Sequence, residues 1–368
     1  MYRKNKNIII AGGGTGGHVY PAIAIAQSLK EADPEVNILF VGALGKMEME
    51  KVPSAGFQIK GLPVKGFQRR LTYKNVLFFF YLFASMLRSY LIVSRFKPGV
   101  VVGVGGYASG PVLKIASWKK IPYVLQEQNS YAGATNRMLA AKASLIFVAY
   151  EGMERYFPAQ KIVLSGNPLR SNLGNIEHKS PEACKGFQVS KDLPVLLVLG
   201  GSLGAGSVNE SMLNNYHSLL NENIQIIWQT GKNYYERIIK EIPDEDLKKL
   251  RVQAFINRMD LAYSLADVIV SRAGAGTISE LCLVGKPVIL VPSPNVAEDH
   301  QAKNAAALEA KNAAKMIRDH EAMDKLVPEV INLMNRADLR EQFSLNIQKM
   351  GFKNSARIIA DEILKLCS

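Results

Sequence analysis

Twice in this chain an apolar, strand-like run empties into a glycine-rich loop that leads straight into a helical pattern. The first is NIIIAGGGTGGH at residues 7–18, and the second is VLLVLGGSLGAGS at 195–207. Glycines at such a junction let backbone N–H groups approach an anion, beside the positive end of the helix that follows. The doubling restricts the chain to α/β architecture, with two doubly wound units that each point a loop at a central cleft.

The rest of the sequence agrees with that reading. In the first half, apolar and largely β-branched runs at Asn7–Ala11, Val36–Gly42, Val100–Gly103, Pro122–Gln126 and Ser144–Val148 predict strands. Helical patterns such as Pro21–Ala32 and Gly133–Ala143 lie between them, an alternation that implies parallel strands with crossover helices. A second series runs through Val195–Gly200, Gln225–Thr230, Arg251–Phe255, Val268–Ser271 and Val288–Val291. Between the series, Arg170 to Asp192 is polar and punctuated by Gly174, Pro181 and Gly186, so the junction belongs there. A length of 368 residues fits two units of ordinary size. A last helix, Ser355 to Leu366, follows the second unit, and its pattern does not say where it packs.

Charge narrows the partners. Forty-five Lys and Arg against 32 Asp and Glu leave a formal net charge of +13, which suits an anionic partner: nucleic acid, an acidic membrane surface or a phosphorylated substrate. No recognised nucleic-acid-binding motif accompanies the charge, so nucleic acid is excluded. Cys184, Cys282 and Cys367 stand far apart without metal-ligand spacing, which points to a reducing compartment. No secretory signal is expected. The most apolar stretch, Val76–Val93, is just short of a spanning helix and carries Arg88, which costs roughly 3 kcal/mol at a bilayer centre, so it is expected not to span.

The glycines carry most of the chemistry. Gly12, Gly14 and Gly17 satisfy G-x-G-x-x-G, yet the second strand ends FVGALGK, with its nearest acids, Glu48 and Glu50, beyond it. A nicotinamide site needs an acid at that strand end for the ribose, so the dinucleotide reading loses an anchor. In the second loop Ser202 adds a hydroxyl donor suited to a phosphate. A third anion-ready helix start lies at 271–277, where Arg272 stands as a permanent cation. Glu280, three residues after Thr277, is either half of a capping box or an acceptor for ribose hydroxyls. No metal is expected: the one Asp-x-Asp, Asp244 to Asp246, resembles the charged first turn of a helix.

Six segments in order then resemble a known family: GGGTGGHVYPA, GVGGYASGP (103–111), LQEQNSYAGATNR (125–137), GNPLR (166–170), GGSLGA (200–205) and 271–280. Together they are similar to the MurG family of UDP-N-acetylglucosamine–N-acetylmuramyl-(pentapeptide) pyrophosphoryl-undecaprenol N-acetylglucosaminyltransferases, from about Ile8 to the end of the chain. The resemblance implies the GT-B fold, two Rossmann-like domains facing a cleft. Residues 1–169 would form the acceptor and membrane-associating domain, with the helix at about 350–368 returning to it, and 170–349 the UDP-GlcNAc domain. It further implies that Ile256 contacts uracil through its backbone, that Arg170 and Ser202 lie along the nucleotide, and that Glu280 holds the ribose. Ala275, Gly276 and Thr277 would surround phosphate and sugar, Gln301 and Asn129 would reach the sugar, and Thr15, Gly16 and Gly17 would close the site. The family pattern often carries a histidine before E-Q-N; Gln126 stands there instead.

The reaction the family implies inverts the anomeric carbon without a cofactor: the muramoyl C4 hydroxyl attacks C1 and UDP departs. Arg272, Ser202 and helix N-termini would meet the leaving charge. His18 is the candidate base, because it follows the glycine loop and a histidine can titrate near neutral pH; its rival role is positional. Glu127 is the second candidate base, with pinning of the loop around Asn129 as its alternative. For the membrane, Val76–Val93 with Lys65, Arg69, Arg70, Lys74, Lys119 and Lys120 suits an anionic lipid surface, against the alternative of a fully buried core helix. The expected location is the cytoplasmic side of the cell membrane, peripherally. The competing functions are another GT-B lipid glycosyltransferase, such as one acting on diacylglycerol, and a non-catalytic UDP-sugar-binding partner.

Overall fold

The computed structural model describes residues 5–64, 74–169, 176–201, 203–296 and 299–367, with backbone alone for 74–77. Two compact units emerge, Met1–Arg170 with Asn354–Ser368, and Ser171–Lys353.

In the first unit, the described strands are β1 (Asn7–Ala11), β2 (Asn37–Ala43), β3 (Gln58–Leu62), β4 (Val100–Gly103), β5 (Tyr123–Glu127), β6 (Leu145–Val148) and β7 (Ile162–Leu164). They form one parallel sheet in the order β3-β2-β1-β4-β5-β6-β7. Both faces of its centre are covered, which is why β1 reads as an unbroken Ile8-Ile9-Ile10 run with all three side chains buried. Ile8 and Ile10 share a core with Val19, Ile23 and Ile25 of the helix Gly16–Ala32, and with Ile359, Ala360 and Ile363 of the helix Ser355–Leu366. Ile9 faces the other core with Leu39, Val101 and Leu113.

The second unit repeats the plan with β8 (Val195–Leu199), β9 (Gln225–Gln229), β10 (Leu250–Gln253), β11 (Val268–Ser271), β12 (Val288–Leu290) and β13 (Lys315–Met316). Its parallel order is β10-β9-β8-β11-β12-β13. In each sheet the winding reverses beside the first strand, between β1 and β4 and between β8 and β11. Crevices at the carboxyl ends of such strands are where doubly wound sheets bind ligands. The loops so placed are 12–15 and 104–108 in the first unit, and 200–205 and 272–274 in the second.

Some local expectations are corrected. Edge strands β3, β7 and β13 have no counterpart in the sequence reading: β3 is broken in pattern by Lys60 and Gly61, and β7 and β13 span only three and two residues. The first helix starts at Gly16 and runs through Pro21, rather than starting there. The helix expected over 133–143 is Ala134–Leu139 followed by a tighter turn, Ala140–Lys142. Asp244–Leu247 is a short helix, and its Asp246 carboxylate accepts from the Tyr216 hydroxyl at 2.9 Å, which holds that carboxyl below its ordinary value.

The apolar stretch forms the helix Lys74–Phe96, and no helix among the described residues is long and apolar enough to cross a membrane. The buried-core alternative fails for it. Phe79, Phe80 and Phe83 are 63%, 68% and 72% exposed, and Leu87, Tyr90 and Leu91 are exposed too. Its fully buried residues are Ser85, Ser89 and Val93, four apart, with Ser85 Oγ donating to Pro63 O at 3.0 Å, and Met86, Ile92 and Phe96 pack on the core beside them. Inward serines and outward phenylalanines thus reverse part of the usual amphipathic order. Trp118 is 63% exposed on the neighbouring helix Ser109–Trp118, and Lys119 Nζ lies 4.4 Å from the Tyr90 ring centre. Lys65, Arg69 and Arg70, and the side chains of Lys74 and Val76, fall outside the described residues.

Candidate active site

In the first unit the glycine loop turns three times through positive φ, at Gly12 (159°), Gly13 (139°) and Gly14 (94°), before Thr15 caps the helix Gly16–Ala32. A side chain would be strained at Gly13 and Gly14. The loop's far wall is Val104–Gly106: a Cβ on Gly106 would lie 2.1 Å from Gly13 O, so the two loops touch backbone to backbone. His18, half-buried in the first helical turn, pairs its Nδ1 with Thr15 Oγ1 at 3.0 Å. Its ring edge packs on Gly105, where a Cβ would meet Nε2 at 2.9 Å. Glycine at 105 therefore makes room for the imidazole.

At the carboxyl end of β5, the Glu127 carboxylate is 2% exposed and gathers donors on both oxygens. Oε1 accepts from Asn129 N–H at 3.2 Å and Asn129 Nδ2 at 3.4 Å; Oε2 accepts from Gly133 N–H at 3.0 Å and Asn136 Nδ2 at 2.9 Å. Burial pushes its carboxyl above the ordinary value, while these bonds pull the other way. The bonds fix the 128–136 turn, as the loop-pinning alternative requires. Gln126 is fully buried and donates to Asn167 Oδ1 at 3.0 Å; Asn167 Nδ2 returns a bond to Gln128 O at 3.0 Å. In place of an ionisable ring, the chain has a neutral amide network.

In the second unit, Gly274 caps the helix Ala275–Val284 without a side-chain bond, so the first turn comprises Ala275, Gly276 and Thr277. A Cβ on Gly276 would meet open space. The helix begins two residues before Thr277, which removes the capping-box reading of Glu280. Glu280 instead accepts from the Tyr263 hydroxyl at 3.0 Å. Burial pushes that hydroxyl's pKa well above its ordinary value, and Glu280 adds to the shift.

Arg272 is held within its own unit. Its guanidinium forms an ion pair with Asp319, donates to Val291 O at 3.0 Å and to Pro292 O at 3.3 Å, and reaches Ser207 Oγ at 3.3 Å. These bonds tie the ends of β11 and β12 to the start of the helix Gly206–Asn221. Ile256 donates its backbone N–H to Gln229 Oε1 at 2.9 Å, which leaves its carbonyl as the backbone group for a base. Gln301 accepts Ser293 N–H on Oε1 at 2.9 Å, which fixes the orientation of its amide. Arg170 and Ser202 lie outside the described residues. Glu48, Tyr263 and Gln229 escaped the sequence reading, since each acts on a residue far along the chain.

The chain matches the glycosyltransferase family 28 N-terminal domain over residues 8–148 and the glycosyltransferase family 28 C-terminal domain over 195–362. It is 50% identical over 364 residues to the UDP-N-acetylglucosamine–N-acetylmuramyl-(pentapeptide) pyrophosphoryl-undecaprenol N-acetylglucosamine transferase of Phocaeicola vulgatus, covering 99% of this chain and 97% of that protein. The transferase of the same name from Christiangramia forsetii is 48% identical, with 99% and 98% covered. Among solved structures, MurG of Acinetobacter baumannii is similar at 26% identity and a TM-score of 0.77, covering 98% of this chain and 99% of that one. With a GT-B fold, both family 28 domains and half-identical relatives along nearly its whole length, the chain belongs to the MurG family of N-acetylglucosaminyltransferases.

Proposed function

We propose that this enzyme moves N-acetylglucosamine from UDP-GlcNAc to the C4 hydroxyl of undecaprenyl-diphospho-N-acetylmuramoyl pentapeptide, converting lipid I to lipid II in peptidoglycan synthesis. The observation that carries the reading is the 50% identity to a transferase so named over 99% of the chain.

The second unit holds the donor. Ile256 offers its carbonyl to the uracil N3–H, and Glu280, steadied by Tyr263, accepts from the ribose hydroxyls. The helix N-terminus at Ala275, Gly276 and Thr277 meets the diphosphate, whose charge grows as the bond to C1 breaks. Gln301 donates to the sugar through Nε2, and Arg170 and Ser202 belong to the same site. Arg272, paired with Asp319, holds the start of this loop and adds positive charge to the site.

The first unit receives the acceptor. In the tautomer whose Nδ1–H donates to Thr15 Oγ1, His18 carries the lone pair on Nε2 and takes the C4 hydroxyl proton as the oxygen attacks C1. The oxygen bonds to C1 from the face opposite UDP, so the new linkage is β-1,4. Glu127 orders the turn that carries Asn129 towards the sugar, and Gly16 and Gly17 keep the loop beside His18 open. Membrane association rests on the reversed helix: exposed Phe79, Phe80 and Phe83, flanked by Trp118, Lys119 and Lys120, suit a peripheral contact with an anionic bilayer on the cytoplasmic side.

Side-by-side incubation of labelled UDP-GlcNAc with a short-chain lipid I analogue and with diacylglycerol tests the assignment. Label is expected on the muramoyl product alone. Transfer only to diacylglycerol, or binding of UDP without transfer to either, contradicts it.

A further inference from the structure

The amides of the first glycine loop point inward. Gly12 N–H donates to Val41 O at 3.1 Å, and Gly13 N–H to Gly105 O at 3.3 Å. Gly14 N–H donates to Glu48 Oε2 at 2.9 Å, and the other oxygen of the same carboxylate, Oε1, accepts from Ala43 N–H at 2.9 Å. Glu48 is 1% exposed. Two glycines make space for it: a Cβ on Gly13 would lie 2.3 Å from Glu48 Oε1, and one on Gly42 would lie 2.5 Å from Glu48 Cγ.

A glycine loop between strand and helix ordinarily offers such amides to a phosphate. Here the anion is already built in. We infer that Glu48 is the resident anion of this loop: it occupies the amide an incoming phosphate would use and locks the loop so that Thr15 and His18 are presented in one geometry. Glu48 is thus a positioning residue for proton transfer, and loop 12–14 is not a phosphate cradle. A buried carboxylate in contact with Gly13 also repels a second anion from that spot. The inference rests on the reading of His18 as the base, and it explains why an acid lies past the end of β2 yet serves no ribose.

The test is Glu48→Gln in the full-length enzyme. The amide keeps the side chain's shape but turns one end into a donor that faces a backbone N–H, so one of the two bonds is lost. The expected result is a kcat reduced about 10- to 100-fold, with KM for both substrates and the UDP dissociation constant changed less than about threefold. Gly13→Ala, which drives a methyl group into the carboxylate, reproduces that split and is not additive with Glu48→Gln. Amide exchange at 12–16 accelerates in both variants while the second unit keeps its protection, a readout independent of activity. A lowered acceptor KM with kcat retained would mean that the loop binds a phosphate which Glu48 opposes, and it overturns the inference, as does an unchanged kcat. His18→Ala separates the two readings. If it keeps wild-type kcat, the base assignment fails whatever Glu48 does; if it loses activity while Glu48→Gln does not, only the Glu48 inference fails.

Discussion

Tyr263 and Glu280 stand 17 positions apart, on the helices Met259–Leu265 and Ala275–Val284, and meet because both helices pack on one core, where Tyr263 joins Ile278 and Leu281. A hydrogen bond to a charged group is worth about 1.5 kcal/mol at the low end, so Tyr263→Phe should raise the KM for UDP-GlcNAc roughly tenfold with kcat nearly unchanged. Initial rates at varied donor check this; equal losses in kcat and no change in KM would count against Glu280 as the ribose ligand. His18→Ala should lower kcat by about 10²- to 10⁴-fold while calorimetry finds UDP binding intact. Lys286 allows a stability test unrelated to catalysis. Burial pushes its pKa down to about 8 from 10.5, so its contribution to stability is present above the unfolded value and lost as pH falls through the folded one. Lys286→Met should therefore raise Tm at pH 7, and the gain should vanish as pH climbs past about 10.5. At this scale the sequence was partly legible. Glycine loops, His18 and the Asn129 turn are local, so they stood out. Glu48 and Tyr263 act through partners that only the fold brings near, and the pairing of Arg272 with Asp319, 47 positions away, was hidden for the same reason.

Among the elements, the helix Lys74–Phe96 departs furthest from soluble behaviour. Each large apolar side chain moved from water into an apolar phase contributes about 1.5–3 kcal/mol, and the exposed face holds Phe79, Phe80 and Phe83 together. Replacing these three with serine should reduce partition onto vesicles containing anionic lipid at least about tenfold while leaving the melting temperature within a few degrees, because none of the three lies in the core. Vesicle sedimentation measures it; undiminished partition would place the membrane contact elsewhere. The pattern of this segment announced hydrophobicity all round but not which side faced out. That is settled by the packing of Val93, Met86, Ile92 and Phe96 on the core that holds Val112, Ile115 and Ala116 of Ser109–Trp118. Central strands were legible because burial on both faces selects β-branched runs. Edge strands β3, β7 and β13 were not, since one-sided burial and short length leave little pattern to read.

For the whole molecule, one fold plan used twice supplies two different chemistries. In the first unit the loop after β1 spends its amides on Glu48 and on backbone carbonyls, which suits holding a base. In the second, a helix starts directly after β11 at Gly274, beside the Arg272–Asp319 ion pair, and such an N-terminus suits a departing diphosphate. On the proposed reading the charge on UDP is met by protein dipoles, and the chemistry is expected to run without a divalent ion. The most direct test is the initial rate of label transfer from UDP-GlcNAc to the lipid I analogue in excess EDTA, compared with the same reaction in Mg²⁺. The account predicts lipid II formation at rates within about twofold of each other. Transfer that collapses in EDTA and returns with Mg²⁺ would contradict it, because the leaving group would then depend on a metal rather than on the helix start at Ala275.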